Sequence, residues 1–418
     1  MSPFELAALF LTLVAIGGWL NARTLKAPHG VAMLFIGMGG ALGILALDRV
    51  APGFGASVLG AVSGANFSNT VLGYLLAFLL FAGAMQVDLA ELRRRMLSVW
   101  TLATVGVVAS TAVVGFGVWL AAAWLHIALP LPWALTFGAL ISPTDPIAVL
   151  AAVKQGRFSH TLRAILQGEA LFNDGVGIVV FTALLDFASG AQPSAAAALW
   201  SVFAQAAGGL ALGAGGGYLV LRAMQAIDDF VVEAALTLAL ATGAYAAGQA
   251  LHLSGPIAVV GAGLLIGDAH TRSVMSETTR TYLKSFWTLV DELLNALLFL
   301  LLGLQLFTVP WHASLAGVCL AAALLVLGAR FAIVLPWAAY LRLRHAERGA
   351  NLILAWGGLH GALSLALALS VPPGPARPAI LAATYVTATV SVALQGLTFA
   401  PLTRWLNRPR QPAALAAR

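Results

Sequence analysis

Apolar stretches of about 20 residues recur from one end of this sequence to the other, separated by short polar connections. A bilayer core about 30 Å thick is crossed by a helix of roughly that length, with every backbone polar group satisfied inside the helix. The composition agrees. Of 418 residues, 60% are apolar and 9% charged, against about 25% charged in soluble domains, and the mean hydropathy is +0.92. The pattern predicts an all-α membrane protein with about thirteen transmembrane helices. They fall near 4–21, 30–47, 67–86, 97–124, 132–152, 162–185, 197–221, 230–250, 254–267, 288–307, 313–340, 350–371 and 379–403. The ninth is short, and 271–287 reads as an interfacial helix carrying Arg272, Arg280 and Lys284.

The net charge of +6 does not mark a nucleic-acid binder, because the basic residues lie between apolar spans and form no soluble basic face. They report topology instead. Of the 22 Lys and Arg, all but Arg49, Arg330 and Arg377 fall in connections after odd-numbered spans or in the C-terminal tail. The positive-inside rule then puts the C-terminus in the cytoplasm and the N-terminus outside. Residues 1–20 lack the positive start of a secretory signal and read as a retained first helix. A single cysteine, Cys319, excludes an intramolecular disulfide and a multi-cysteine metal site.

A faint internal repeat is present. Phe78–Gln86 and Phe299–Gln305 both close a Leu/Phe run with a glycine and a glutamine. Seven spans apart, they run in opposite directions, the arrangement of inverted repeats in secondary transporters. Gly209, Gly213 and Gly217 follow no strand, so they read as a helix-packing face and not as a phosphate loop. Asp228, Asp229 and Glu233 sit at a span start, where dipole and solvent satisfy them; Asp291 and Glu292 are placed similarly, with an accessory role in cation uptake open to them.

Ionisable groups at membrane depth cost about 2.5–3.5 kcal/mol each on insertion scales, so they need a reason. Asp145, Glu169, Asp174 and Arg330 are such groups. In Ser142-Pro143-Thr144-Asp145-Pro146, two prolines remove backbone donors and disfavour helix at the residues before them. The fifth span should therefore break, with Asp145 near the start of its second half; a proline kink with a capping Asp is the plainer alternative. In Gly168-Glu169-Ala170-Leu171-Phe172-Asn173-Asp174, the helical repeat lets Asp174 face a cavity while Glu169 turns to a neighbouring helix. A carboxylate held away from water can take either a proton or a cation at cellular pH, and competition between them suffices for exchange. Arg330 stays charged wherever it is buried, and Glu169 is its expected partner. In Gly357-Gly358-Leu359-His360-Gly361-Ala362, the glycines allow a second break at the position matching the first in an inverted repeat of six plus six helices. His360 there is either structural or a modulator of pH response.

These four motifs, in this order across essentially the whole chain, resemble the NhaP/NHE-type sodium/proton antiporters. The resemblance implies electroneutral exchange of a monovalent cation (Na+, also Li+) for H+, by elevator-type alternating access, in a homodimer within the cell membrane. A K+/H+ or broad monovalent-cation exchanger is the alternative. It implies ion and proton binding by Asp174, Asn173, Asp145 and Thr144, with Asp174 and Thr144 holding the cation, and a Glu169–Arg330 charge pair. Core helices would span about 97–185 and 313–403, and dimerisation helices about 4–86 and 197–307. No cofactor, enzymatic activity or nucleic-acid partner is implied beyond the transported ions and the lipid. Two departures stand out: Ala170 replaces the family's usual serine, and His360 its usual arginine. An intramembrane aspartyl protease also needs two buried aspartates, but its Gly-x-Gly-Asp setting is absent around Asp145 and Asp174.

Overall fold

A computed structural model describes residues 3–50, 53, 75–145, 160–191, 194–268, 275–307, 309–340 and 349–406. Among them the regular structure is helical, apart from one isolated antiparallel bridge. Among the described residues eight helices are long and apolar enough to cross a membrane, and three shorter apolar helices, Leu76–Met85, Leu131–Ile141 and Gly255–Gly267, occupy the third, fifth and ninth expected spans. Residues 67–74 and 146–152 of those expected spans lie outside the described residues, as does Pro146.

In chain order the helices are α1 (Pro3–Leu20), α2 (His29–Val50), α3 (Leu76–Met85), α4 (Leu89–Arg94), α5 (Met96–Thr101) and α6 (Val107–Trp124). They continue with α7 (Leu131–Ile141), α8 (His160–Ala188), α9 (Ala195–Met224), α10 (Phe230–Ala250), α11 (Gly255–Gly267) and α12 (Glu277–Leu304). The last five are α13 (Ala316–Tyr340), α14 (Ala350–Trp356), α15 (Ala362–Ser370), α16 (Arg377–Val390) and α17 (Gly396–Leu406). Local sequence sets many of the starts. The side chains of Asp88, Ser194, Asp229, Ser254 and Ser276 accept hydrogen bonds from backbone N–H groups that the first turn leaves unpaired. Wide π-type turns at Leu102–Gly106 and Ser391–Gln395 join α5 to α6 and α16 to α17 without ending the span.

Two expectations are corrected. From Glu277 on, the segment read as an interfacial helix and the tenth span form one helix, α12, because Ser276 caps its start and nothing between Glu277 and Leu304 breaks it; residues 271–274, with Arg272, lie outside the described residues. Asp291 therefore lies well inside a helix, not at its opening turn. Glu233 is not satisfied by solvent: it is 1% exposed, packed against α12 with a hydrogen bond from Thr279.

Helix contacts are closest where side chains vanish. A Cβ on Gly37 of α2 would stand 2.3 Å from the Leu300 carbonyl oxygen of α12, and one on Gly303 would stand 2.3 Å from that of Leu34. On α9, Gly209, Gly213 and Gly217 lie against Ser254, Ala258 and Ala262 in successive turns; a Cβ on Gly213 would stand 1.8 Å from the Ala258 oxygen. Small residues give membrane helices this close approach, where lipid leaves no hydrophobic drive between them. The outer face is apolar, with Trp19, Trp124, Trp200 and Phe203 exposed. In water such a surface would drive aggregation; in lipid it is solvated.

Candidate functional site

The site forms where two interrupted segments meet. α7 stops at Ile141, the Ser142 N–H closes a last turn on the Ala139 carbonyl, and residues 143–145 run on outside the helix, as the proline at 143 requires. The twelfth expected span stops at Trp356 and resumes at Ala362, with the glycines of 357–361 between. The two breaks touch: the Asp145 N–H donates to the Leu359 carbonyl at 2.6 Å, forming the antiparallel bridge. Gly361 approaches so closely that a Cβ there would meet Asp145 Oδ2 at 2.9 Å. His360 fastens the crossing from behind. Its Nδ1 lies 3.1 Å from the Pro143 carbonyl, an acceptor that the break has released from helix bonding. Its backbone N–H donates to Ser391 Oγ at 3.0 Å, and Ser391 in turn donates to Gln395. Both partners belong to the π-type turn, which turns polar side chains inward from an apolar span.

α8 runs beside this crossing and presents two faces to it. Asn173, 1% exposed, donates from Nδ2 to Thr144 Oγ1 at 2.8 Å. Glu169, one turn earlier, forms a two-pronged ion pair with Arg330 of α13 through Nη1–Oε1 and Nη2–Oε2. Arg330 Nη2 also donates to the Leu354 carbonyl at 3.1 Å, so the guanidinium ties α8 to the end of α14. Gly358 makes room for it, since a Cβ there would stand 2.5 Å from Arg330 Nε. Fork-to-fork pairing compensates the carboxylate and the guanidinium through its two Nη groups, which matters most away from water, while Arg330 Nε is buried with no hydrogen-bond partner among the described residues.

Asp174 points elsewhere. With Asp145 it lines a cavity of about 110 Å³, whose walls include Gly83 and Gln86 of α3, Gln167 and Ala170 of α8, and Asp291 and Asn295 of α12. The seven residues singled out from sequence thus divide. Asp145 and Asp174 face this cavity, while Thr144, Glu169, Asn173, Arg330 and His360 share a small polar pocket on the other side of α8. Ala170 offers a methyl where the resemblance leads one to expect a hydroxyl. Gln167 and Asn295 are not among the residues the sequence singles out, and Gln86 enters there only as the closing glutamine of the repeat, although a polar side chain inside an apolar span was the available signal for all three. Among the described residues no group of three or more His, Cys, Asp or Glu could hold a metal ion as a resident cofactor.

A multi-pass helical membrane protein, with two interrupted segments crossing beside acids that line a cavity, has the build of a secondary transporter. The chain belongs to the sodium/hydrogen exchanger family, whose transmembrane region matches residues 10–405. It is 39% identical over 409 residues to the Na(+)/H(+) antiporter NhaP of Pseudomonas aeruginosa, covering 96% of both chains. It is 32% identical over 407 residues to the Na(+)/H(+) antiporter NhaH of Halobacillus aidingensis, again covering 96% of both. Its fold is similar to that of the sodium proton antiporter MjNhaP1 from Methanocaldococcus jannaschii, with a TM-score of 0.76 at 21% identity over 99% of this chain and all of that one.

Proposed function

We propose that this protein exchanges Na+ for H+ across the cell membrane, one for one, with Asp174 as the group that carries each in turn. The observation that supports this reading best is the placement of Asp174: its carboxylate lines a cavity next to the crossing of the two interrupted segments. A carboxylate there binds a cation when ionised and a proton when not, so loading one expels the other. Thr144 and Asn173, joined by a hydrogen bond, hold the crossing against α8 and supply oxygen ligands when the core rearranges, and Asp145 adds a second negative charge to the cavity. The Glu169–Arg330 pair is electrically closed, leaving Asp174 to change its load without a competing counter-ion. A proton gradient of one pH unit supplies about 1.36 kcal/mol. One-for-one exchange takes nothing from the membrane potential, whereas a net charge per cycle would add about 2.3 kcal/mol per 100 mV.

In this reading the helices within about 97–185 and 313–403 move as the ion-carrying body against those within about 4–86 and 197–307, in a homodimer. The termini follow the positive-inside rule, outside for the N-terminus and cytoplasmic for the C-terminus. Exchange of K+ is the second reading, favoured by one observation: Ala170 lines the cavity without offering an oxygen ligand, which loosens the site's hold on the smaller Na+. The test is dequenching of a pH-sensitive dye in proteoliposomes on addition of Na+, Li+ or K+. Asp174→Asn should abolish the response to every cation, and lowering the pH should raise the apparent KM for Na+ while leaving the maximal rate in place. Retained exchange in Asp174→Asn would remove Asp174 as the carrier.

A further inference from the structure

We propose that Gln395 is a positioning residue for the exchange: from the π-type turn it clamps both ends of the second interrupted segment and so sets where Asp145 stands on the cavity wall. This rests on the exchange reading above. Where α14 stops, the Trp356 carbonyl has run out of helical partners, and ahead of α15 the His360 N–H has none either. Gln395, 5% exposed, serves both. Its Nε2 donates to the Trp356 carbonyl at 3.3 Å. Its Oε1 accepts from the Ser391 hydroxyl, whose oxygen accepts from the His360 N–H at 3.0 Å. The amide can stand only one way round, because its oxygen against the Trp356 carbonyl would set acceptor against acceptor. With the amide so fixed, every donor in the chain faces an acceptor.

Between the two clamped points hangs Leu359, whose carbonyl receives the Asp145 N–H at 2.6 Å. Asp145 in turn lines the cavity that Asp174 shares. The segment carries glycine at 357, 358 and 361, so it has little stiffness of its own and takes the shape its hydrogen bonds impose. Gln395 and Ser391 line a separate small cleft beside Arg330 and His360, and neither lines the cavity. Their effect on the ion therefore runs through the backbone from Trp356 to His360 and across to Asp145. Ser391 opens the widened turn and Gln395 closes it, the kind of local widening that often marks a functional site. The Trp356 indole is held separately, donating to Thr398 of α17 at 3.0 Å. Loss of the Gln395 amide thus frees the carbonyl and leaves the end of α14 attached.

The experiment compares Gln395→Met, Ser391→Ala and the double variant with wild type, by dye dequenching in proteoliposomes across Na+ and Li+ titrations. Gln395→Met keeps the length of the side chain and removes both of its hydrogen bonds. It should raise the apparent KM for Na+ about fivefold, the worth of one hydrogen bond. It should also change the ratio of the Na+ to the Li+ KM, because ions of different size read the placement of Asp145 differently. Ser391→Ala should move both quantities in the same direction, and the double variant no further than Gln395→Met, since the two residues are links of one clamp. Hydrogen exchange should quicken around Asp145 and Leu359 and keep its wild-type rate in α9 and α11. A merely structural glutamine predicts instead a lower maximal rate from lost folded protein, an unchanged KM and ion ratio, and hydrogen exchange quickened everywhere alike or nowhere. That result, or additive effects in the double variant, would overturn the proposal. Should Gln395→Met not fold, an unmoved KM and ion ratio in Ser391→Ala overturns it equally. Failure of the exchange reading itself looks different, as a wild-type protein with no cation response at all.

Discussion

The Glu169–Arg330 pair offers the sharpest quantitative test of how this site is held. The carboxylate is 2% exposed and the guanidinium 13%, and two parallel hydrogen bonds join them. Replacing Glu169 by Leu leaves a buried guanidinium with the Leu354 carbonyl as its remaining hydrogen-bond acceptor among the described residues. Replacing Arg330 by Met leaves a buried carboxylate in the converse position. Each single change should cost about 3–5 kcal/mol, because a stranded charge keeps its desolvation penalty and loses its compensation. That is a factor of roughly two to four powers of ten in the folded-to-unfolded ratio. The double variant Glu169→Leu/Arg330→Met has no charge to strand, and an apolar pair of similar volume is close to neutral or even stabilising. It should therefore recover most of the loss, giving a coupling energy of several kcal/mol where distant residues would simply add. Unfolding of the four proteins in mixed micelles, followed by tryptophan fluorescence, measures the cycle. The same samples reconstituted into liposomes show whether exchange returns with stability. Additive losses in the double variant, or single variants within about 1 kcal/mol of wild type, would refute the reasoning.

Three further outcomes are expected. Ala170→Ser, one helical turn before Asp174, adds an oxygen to the cavity wall worth about 1 kcal/mol, so the apparent KM for Na+ should fall about fivefold in the liposome assay; an unmoved KM would mean that the ligand oxygen comes from elsewhere. His360→Arg puts a permanently charged guanidinium where the imidazole meets the Pro143 carbonyl, so the two proteins' pH–activity curves should differ; superimposable curves would confine His360 to its bond with Pro143. Gly213→Ala forces the backbones of α9 and α11 apart and should cost about 1–3 kcal/mol in the same micelle unfolding measurement, while Gly215→Ala, which meets nothing within 4 Å, should not.

Much of this could be read in the sequence because membrane folds announce themselves in simple chemistry. The break after Ile141 follows from Pro143, and the second break from the glycines at 357, 358 and 361. The partnership of Glu169 and Arg330 follows from the scarcity of buried charge: few oppositely charged groups lie deep in the spans, and these two had to be compensated. The helix-packing role of Gly209, Gly213 and Gly217 was visible in their four-residue spacing. What escaped was geometry without a compositional mark. The π-type turns at Leu102–Gly106 and Ser391–Gln395 contain no proline, and their few polar residues do not end the apolar run, so nothing local marks the widened turn. The continuity of α12 escaped because Arg280 and Lys284 look interfacial whether or not the helix ends there. The cavity role of Gln86 and Asn295 depends on α3 lying beside α12, a tertiary fact that no local pattern states.

The glycine contacts between α2 and α12, and between α9 and α11, carry a mechanical consequence. Where Gly37 meets Gly303, and Gly213 meets Ala258, main chain rests on main chain with no side chain between to change rotamer. Neither partner can rotate or slip along the other without collision, so each pair travels as one stiff beam. Whatever displacement a working cycle demands must be taken up at joints cushioned by flexible side chains, and substitutions that retune speed should accumulate at those joints and spare the beams.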